Sequence, residues 1–446
     1  MKKILLINPP NPPGYISNKD MMGGFGQLAK DKWLDRVPPL DLPSTAASLI
    51  QKGHHVEIID CLGLELNLTK LVELIKKKSV DYVGIRSSTP TFYLDLEVAR
   101  EIKKILSVPI IIFGSHISVF ADKTINCPEA DAIIVGEPEL TFVEIAEKGF
   151  ENTPGVWYRK GNEIFKNEKR NILENLDELP FPAWDLMPWN KYNVGEYLRN
   201  LTPSFLMQTS RGCPYGCMYC PYPIAQGLRW RPRSSENVLK EIHYLKDKYG
   251  MNSVLFRDAI FTLDRNRTIK ICEGIITENL KFSWRCETRA DRLDEELIKL
   301  MAKAGCIGIN MGVESASERV CKSSNRKYIP LTHIKKLIKC CRKNGIEVYL
   351  FFIIGLKGDN VFSITKTIYS ALRLNATFTQ FTVVSPYPGT DIEKWARENN
   401  YVINEKWDHI TGWDATMRND KLPLWAIKSF HKAANALIFI KEKISK

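Results

Sequence analysis

Three cysteines fall within eight residues of one another in the run Cys213-Pro-Tyr-Gly-Cys217-Met-Tyr-Cys220. The run follows directly on the apolar segment FLMQTS, so the thiols sit on a loop leaving a strand, where they can converge on one metal centre. Three thiolates can hold three irons of a [4Fe–4S] cluster and leave the fourth iron open. Gly212 and Gly216 would let the loop bend tightly, and Tyr219 could cover one face of the cluster or its ligand. A zinc site and three reduced structural thiols are the alternatives. Zinc normally takes four protein ligands when structural, and the nearest downstream histidine, His243, lies inside a helical pattern.

The elements around this loop repeat. From Ser204 onward FLMQTS, SVLFRDA, FSWRCET, IGINMGVE, EVYLFFIIG and FTQFTVVSPYP alternate with amphipathic stretches such as ENVLKEIHYLKDKY and DEELIKLMAKAG. Six strands alternating with helices predict a partial (β/α)6 barrel of the TIM type, whose chemistry clusters at the carboxyl ends of the strands. The first part of the chain alternates in the same way: ILLINPP, HHVEIID, DYVGIRSS, PIIIFGS and AIIVGE are separated by helical patterns. Continuous apolar runs of this length suit parallel strands covered on both faces, which predicts a doubly wound, Rossmann-like α/β domain. Ligands of such domains bind outside the carboxyl ends of the strands. Here those ends carry Asn8, Pro9 and Pro10, then Ser87, Ser88 and Thr89, then Gly114, Ser115 and His116, then Gly136 and Glu137. The expected division is 1–150 for this domain, 151–198 for a hairpin turning at Lys160-Gly161-Asn162 plus the proline-rich linker LDELPFPAWDLMP, 199–390 for the barrel, and 391–446 for C-terminal helices.

With 446 residues, 44% hydrophobic and 26% charged, the chain can bury cores without disulfide staples. Its 11 cysteines lack the regular spacing of a secreted framework, which points to a reducing cytoplasm. No apolar run reaches the roughly 20 residues of a membrane span. The net charge of +12 would suit nucleic acid, an anionic membrane surface or an acidic small molecule, but the lysines fall at helical spacings where a solvated face is the plain explanation.

The CxxxCxxC loop with an aromatic before its third cysteine, at the end of the first barrel strand, resembles the radical S-adenosylmethionine (SAM) superfamily. The segments ADAIIVGEPE, LDELPFPAWDLMP, RDAIFT, ETRADRLDEELIKLMAKAGC, MGVESASERV and VSPYPGT are similar to the subclass with an N-terminal cobalamin-binding domain, over roughly residues 1–395. The resemblance implies a [4Fe–4S] cluster on Cys213, Cys217 and Cys220 whose open iron chelates SAM, and a cleavage that yields a 5′-deoxyadenosyl radical able to take hydrogen from a substrate. It further implies that Glu314 and Ser315 of GVES, Glu287 and Arg289 of ETRAD, Asp258 of RDAIFT, and Tyr219 face SAM. Glu314 would accept from its ribose or amino group, and Arg289 would clamp its carboxylate or pair with Asp291. For cobalamin the implied contacts are the strand-end residues Asn8, Pro9, Ser87, Ser88, Thr89, Gly114, Ser115, His116, Gly136 and Glu137. The chain lacks the Asp-x-His-x-x-Gly triplet whose histidine ligates cobalt from below, so cobalamin would bind without it, as is usual in this subclass. His54 and His55 precede a strand and read as surface residues. The arginines 229, 231 and 233 could neutralise an anionic substrate or pair with acids. Where subclass members commonly carry Gly-x-Pro-Gly-Glu, this chain has Gly355-Leu356-Lys357-Gly358-Asp359.

The function implied is cobalamin-dependent radical methylation of an unactivated carbon in a small molecule, lipid or peptide, in an oxygen-sensitive enzyme fed by flavodoxin or ferredoxin. Radical cyclisation, rearrangement or oxidation without methyl transfer is the second reading, and a non-catalytic cobalamin or redox sensor the third. Nucleic acid is not an expected partner, because no second cysteine trio and no C-terminal RNA-binding module are present.

Overall fold

The computed structural model describes residues 1–30, 36–192 and 198–445, and they divide into two compact units, Met1–Val194 and Gly195–Lys446. Residues 193–197, at the end of the stretch expected to be linker, lie outside the described residues.

In the first unit the strands are β1 (Lys3–Asn8), β2 (Tyr15–Asn18), β3 (Gln27–Lys30), β4 (His55–Asp60), β5 (Tyr82–Arg86), β6 (Ile110–Phe113), β7 (Ala132–Ile134), β8 (Val156–Lys160) and β9 (Glu163–Lys166). Seven of them form one sheet in the order β4-β1-β5-β6-β7-β8-β9. β4, β1, β5, β6 and β7 are mutually parallel, as their apolar runs predict. Helices Asp41–Gln51 and Pro138–Lys148 cover one face: Leu42, Ala46, Leu49, Phe142 and Ile145 meet Ile4, Leu6, Ile111 and Phe113. Each such large side chain stabilises the unit by about 1.5–3 kcal/mol through burial. The hairpin does turn at Gly161, but it is not a free-standing part of a linker: β8 pairs antiparallel with β7 and extends the sheet. The β2–β3 hairpin is not anticipated by sequence. Its segment crosses the carboxyl ends of the parallel strands, where the Thr89 amide donates to the Phe25 carbonyl (2.9 Å) and Ser115 Oγ to the Gly23 carbonyl (3.0 Å).

In the second unit the strands are β10 (Ser204–Met207), β11 (Ser210–Arg211), β12 (Arg231–Pro232), β13 (Ser253–Phe256), β14 (Ser283–Thr288), β15 (Cys306–Glu314), β16 (Glu347–Ile354) and β17 (Phe378–Val383). Six run parallel in the order β10-β13-β14-β15-β16-β17, the expected partial barrel. Its helices start where polar caps allow: Ser234, Asp264 and Asp294 each accept from the backbone amide three residues on, which satisfies a donor the first turn leaves open. The C-terminal helix Leu424–Ser445 closes the barrel's last edge. Asn435 bonds both the amide and the carbonyl of Phe381, and His431 Nε2 sits 2.9 Å from the same carbonyl, so side chains substitute for a missing neighbour strand. No helix among the described residues is long and apolar enough to cross a membrane.

Candidate active site

The cysteine loop leaves β10 and is pinched at its base by the short β11–β12 pairing of Ser210 with Pro232 and Arg211 with Arg231. Asp258, just beyond β13, anchors the approach. Its carboxylate accepts from the Thr209 amide (2.6 Å), the Thr209 hydroxyl (2.6 Å) and the Ser210 hydroxyl (2.7 Å), so both oxygens are committed to holding this turn rather than open to a ligand. Gly212 is left-handed at φ +84°, and a Cβ there would collide with the Arg229 carbonyl oxygen. Gly216 has no such constraint: its Cβ would meet only the Asn325 amide nitrogen at 3.4 Å, so of the two glycines expected to serve the loop only Gly212 sits where a side chain would not fit. We expect Gly212→Ala to cost about 1–3 kcal/mol of loop strain and to lower iron retained per chain after anaerobic desalting, with Gly216→Ala close to wild type.

Cys213 and Cys217 are buried and Cys220 half-buried. Two neighbouring loops hold the turn between them. From beyond β15, the Ser324 carbonyl accepts from the Met218 amide (3.0 Å) and Asn325 Nδ2 donates to the Gly216 carbonyl (2.6 Å). From beyond β14, Arg292 bonds the Tyr215 hydroxyl, and the Arg289 guanidinium lies 4.1 Å over the Tyr215 ring. Burial pushes the Cys213 and Cys220 thiols up, as does the closeness of the other sulfurs, while Arg289 and Arg326 pull Cys213 back. Among the described residues no set of three His, Cys, Asp or Glu side chains gathers around a single-ion position. Three thiolates on one loop can each take a separate iron of a four-iron cluster, whereas a structural zinc would need a fourth protein ligand.

Glu314 ends β15 with φ +66°, a conformation rare outside glycine and asparagine, and the register of β15 against β16 shifts at this position. The turn aims its buried carboxylate at Arg326, 3.6 Å away. Arg326 also donates to the Gly312 carbonyl (2.6 Å) and lies 3.9 Å from Cys217 Sγ. Burial raises Glu314 above the ordinary carboxylate range, and Arg326, Tyr219 and Arg289 partly offset this. Burial also works against the Arg326 charge, but Tyr219, Glu314 and Cys217 more than compensate. Sequence reasoning missed Arg326, because nothing local in SSNRKY separates it from a surface cation. Tyr219 packs beside Val320, Leu356 and Ile392, with its hydroxyl buried next to Glu314. Arg289 pairs with Asp291 (2.9 and 3.0 Å), yet its Nη1 is buried without a protein acceptor. A buried guanidinium donor with nothing to meet, beside three sulfurs and a carboxylate, fits a cluster carrying an anionic, hydroxylated ligand.

Other candidates are engaged within the protein. Glu287 pairs with Arg257 (2.6 Å), and Ser315 Oγ accepts from the Ser317 amide (3.2 Å). The three alternating arginines do not share one open side: Arg229 is exposed, whereas Arg231 and Arg233 are buried, the latter against Glu241 and Asn237. At the departure from Gly-x-Pro-Gly-Glu, Asp359 closes the loop by accepting from the Gly355 amide (3.1 Å), and burial pushes its carboxyl up to about 6.

In the first unit the strand-end residues form a connected rim. Asp95 is its hub, taking Lys19 Nζ (2.7 Å), Ser87 Oγ (2.8 Å), Thr91 Oγ1 (2.8 Å) and the Ser88 amide (3.3 Å). Ser87 and Ser88 thus spend their hydroxyls internally, Ser88 on Thr91. Gly114, at φ +129°, lets the chain pass against the Ser87 carbonyl. His116 departs from expectation: it is fully buried between Phe92 and Phe120 with Thr89 Oγ1 at 3.1 Å from Nδ1, and burial lowers its pKa to about 3. It is a neutral core histidine and not an open contact. His54 is likewise largely buried, beside the Lys2 amide, whereas His55 is exposed as expected. Pro9 is buried. Asn8 donates to Asp60 (2.8 Å) while its Oδ1 is buried without a partner, and Gly136 and Glu137 open toward solvent at the start of helix Pro138–Lys148. This rim, with a free acceptor at one strand end and accessible backbone at another, fits a bulky polar ligand such as cobalamin.

A doubly wound domain followed by a partial barrel with this strand-end site defines the architecture of cobalamin-binding radical enzymes. The model of the radical SAM superfamily matches residues 207–368 and that of the B12-binding domain residues 29–146. An uncharacterized methyltransferase of Pyrococcus horikoshii is 32% identical over 449 residues, covering 99% of this chain and 93% of the relative. The anaerobic magnesium-protoporphyrin IX monomethyl ester cyclase of Rubrivivax gelatinosus is 25% identical over 82% of this chain and 68% of its own. In fold, the chain is similar to the radical SAM methyltransferase TsrM from Kitasatospora setae, with a TM-score of 0.70 at 18% identity over 88% of this chain and 77% of that one. The chain belongs to the cobalamin-dependent radical SAM methyltransferase family, whose cofactors are a [4Fe–4S] cluster, SAM and cobalamin.

Proposed function

We propose that this enzyme methylates an unactivated carbon of a small molecule, lipid or peptide, with Cys213, Cys217 and Cys220 each holding one iron of the cluster. The observation that carries this reading is the meeting of three strand-end loops, those of the cysteines, of Arg289 and of Glu314 with Arg326, in a chain that also has a B12-binding domain. Bound together, the cofactors supply reductive cleavage of a sulfonium to a carbon radical and a transferable methyl group. The protein's part is positional. Arg289, with its free Nη1, and Arg326 would hold the carboxylate of SAM, and the carboxylate of Glu314 would accept from its hydroxyl or ammonium hydrogens. Tyr219 and the apolar residues behind it would keep water from the sulfurs. In the first unit, Asn8 Oδ1 and the Gly136–Glu137 turn are the contacts we assign to cobalamin. A low-potential donor such as flavodoxin or ferredoxin, in a reducing cytoplasm, would deliver the electron.

The likeness to the ester cyclase favours one second reading, radical cyclisation or oxidation without methyl transfer. Anaerobic incubation with reductant, methyl-labelled SAM and a metabolite extract separates the two. Methylation places label in a product heavier by one methyl group while deoxyadenosine accumulates. Deoxyadenosine formed in step with an unlabelled product overturns it.

A further inference from the structure

The helices Val361–Leu374 and Leu424–Ser445 pack against each other on the outside of the second unit. The inner face of the C-terminal helix is ordinary core, with Ala426, Ile427, Ala434 and Ile438 buried. Its outer face is not an ordinary solvated face. Trp425 is 72% exposed, Phe439 57% and Ile440 52%, and the neighbouring helix adds Phe362 at 78% and Tyr369 at 57%. On a helix of 3.6 residues per turn Trp425, Lys432, Phe439 and Lys443 fall at intervals of seven, seven and four, which puts them in one stripe. Lys443 Nζ lies 4.7 Å over the Phe439 ring, and the Arg373 guanidinium 5.3 Å over that of Tyr369, so cations and rings alternate on both helices.

The charge of this face is mostly positive. Val361–Leu374 contains no Asp or Glu and Leu424–Ser445 one, Glu442, while Lys366, Arg373, Lys432 and Lys443 are exposed. One acid approaches from a neighbouring loop, where Asp414 pairs with Lys428 at 3.3 Å. A solvated helix face would carry both signs and few large rings, and a second copy of this mostly cationic face would bring few acids to answer its lysines. Aromatic and aliphatic side chains interleaved with lysines, on helices that lie along the surface and do not span a bilayer, have the composition of an interfacial membrane helix. Trp and Tyr rings settle at headgroup depth, and lysines extend from apolar surroundings to reach phosphates.

We propose that this two-helix face docks the enzyme peripherally on an anionic lipid surface, with Trp425, Phe439, Ile440 and Phe362 entering the interface and Lys366, Arg373, Lys432 and Lys443 meeting lipid phosphates. The inference goes beyond methyl transfer and does not depend on it. None of the residues named belongs to the cysteine site, so activity toward SAM and docking can fail separately.

Full-length protein, purified anaerobically with its cluster, is sedimented with vesicles of phosphatidylcholine alone or of phosphatidylcholine with phosphatidylglycerol, at low and high salt. Wild type should partition onto the anionic vesicles, and less so as salt rises. The triple variant Trp425→Ser, Phe439→Ser, Ile440→Ser and the charge variant Lys366→Glu, Lys432→Glu, Lys443→Glu should each bind about tenfold less or weaker, with iron content and SAM cleavage unchanged. No sedimentation with anionic vesicles overturns the proposal. So does loss in the charge variant with full binding in the apolar one, since that is attraction by the +12 net charge without insertion. A wild-type dimer that the apolar variant converts to monomer also overturns it, by making the face a protein interface.

Discussion

Replacing any one of Cys213, Cys217 and Cys220 with alanine is expected to abolish SAM cleavage and to remove the spectroscopic signature of a four-iron centre, while the chain stays folded. Each sulfur is the sole protein ligand to its iron in the proposed arrangement, so a missing thiolate opens a second corner of the cluster and leaves it labile. The loop itself does not depend on the thiols for its shape. Its base is held by the β11–β12 pairing and by Asp258, and its tip by Asn325 and by Arg292 on Tyr215. The removed atom is small, and the thermal midpoint of metal-free protein should move little. Cys340→Ala and Cys127→Ala are the controls. Cys340 packs at a helix end near the Glu295 carbonyl, and Cys127 lies half-buried in the first unit, so iron content and cleavage should match wild type. Iron and sulfide per chain, together with deoxyadenosine formed after reduction, read the result. Full cluster content in any of the three alanine variants would remove that cysteine from the ligand set.

Arg326→Leu is expected to produce the second large effect, and to separate SAM binding from cluster assembly. The guanidinium is at once the countercharge of a buried carboxylate, the donor to the Gly312 carbonyl and the nearest cation to Cys217. Removing it leaves Glu314 buried without its main partner, at a cost of about 3–5 kcal/mol in stability. The carboxyl, already raised by burial, then shifts further toward its neutral form and accepts less well from a ribose hydroxyl or an ammonium. Loss of charge-assisted bonds worth about 1.5–3 kcal/mol predicts SAM affinity weaker by roughly 10- to 100-fold. Arg326→Lys keeps the charge but not the planar fork, so it should recover most of the stability and only part of the affinity. Equilibrium binding of SAM to reconstituted protein, read beside the thermal midpoint, distinguishes the two. If Arg326→Lys and Arg326→Leu bind SAM as wild type does, Arg326 serves only the fold.

Much of this architecture is legible in the residues alone, because it follows from patterns that repeat over short distances. Runs such as ILLIN and PIIIF can be continuously apolar only where both faces of a sheet are covered, and those runs are the parallel strands of the first unit. The six barrel strands and their order follow from the same alternation. What escapes is what depends on partners distant in the chain. The β2–β3 strands are four residues each, too short to show a period, and owe their place to Phe25 and Gly23 lying over loops some 65 to 90 residues further on. His116 follows a glycine-serine turn that reads as open, but Phe92 and Phe120 close around its ring. Glu314 was readable as a strand-end acid, whereas its left-handed backbone and its pairing with Arg326 come only from the packing of three loops. Asp258 shows the converse: a polar strand-end residue that looks free in sequence is spent on Thr209 and Ser210.

The central claim is that three sulfurs hold a four-iron cluster whose remaining iron is free to take SAM. Anaerobically prepared, intact enzyme should be reduced with dithionite and its electron paramagnetic resonance recorded before and after SAM is added. The account predicts a [4Fe–4S]⁺ signal that changes shape on addition, because a new ligand alters one iron. A signal indifferent to saturating SAM, or folded protein holding one zinc per chain in place of the cluster, would contradict it.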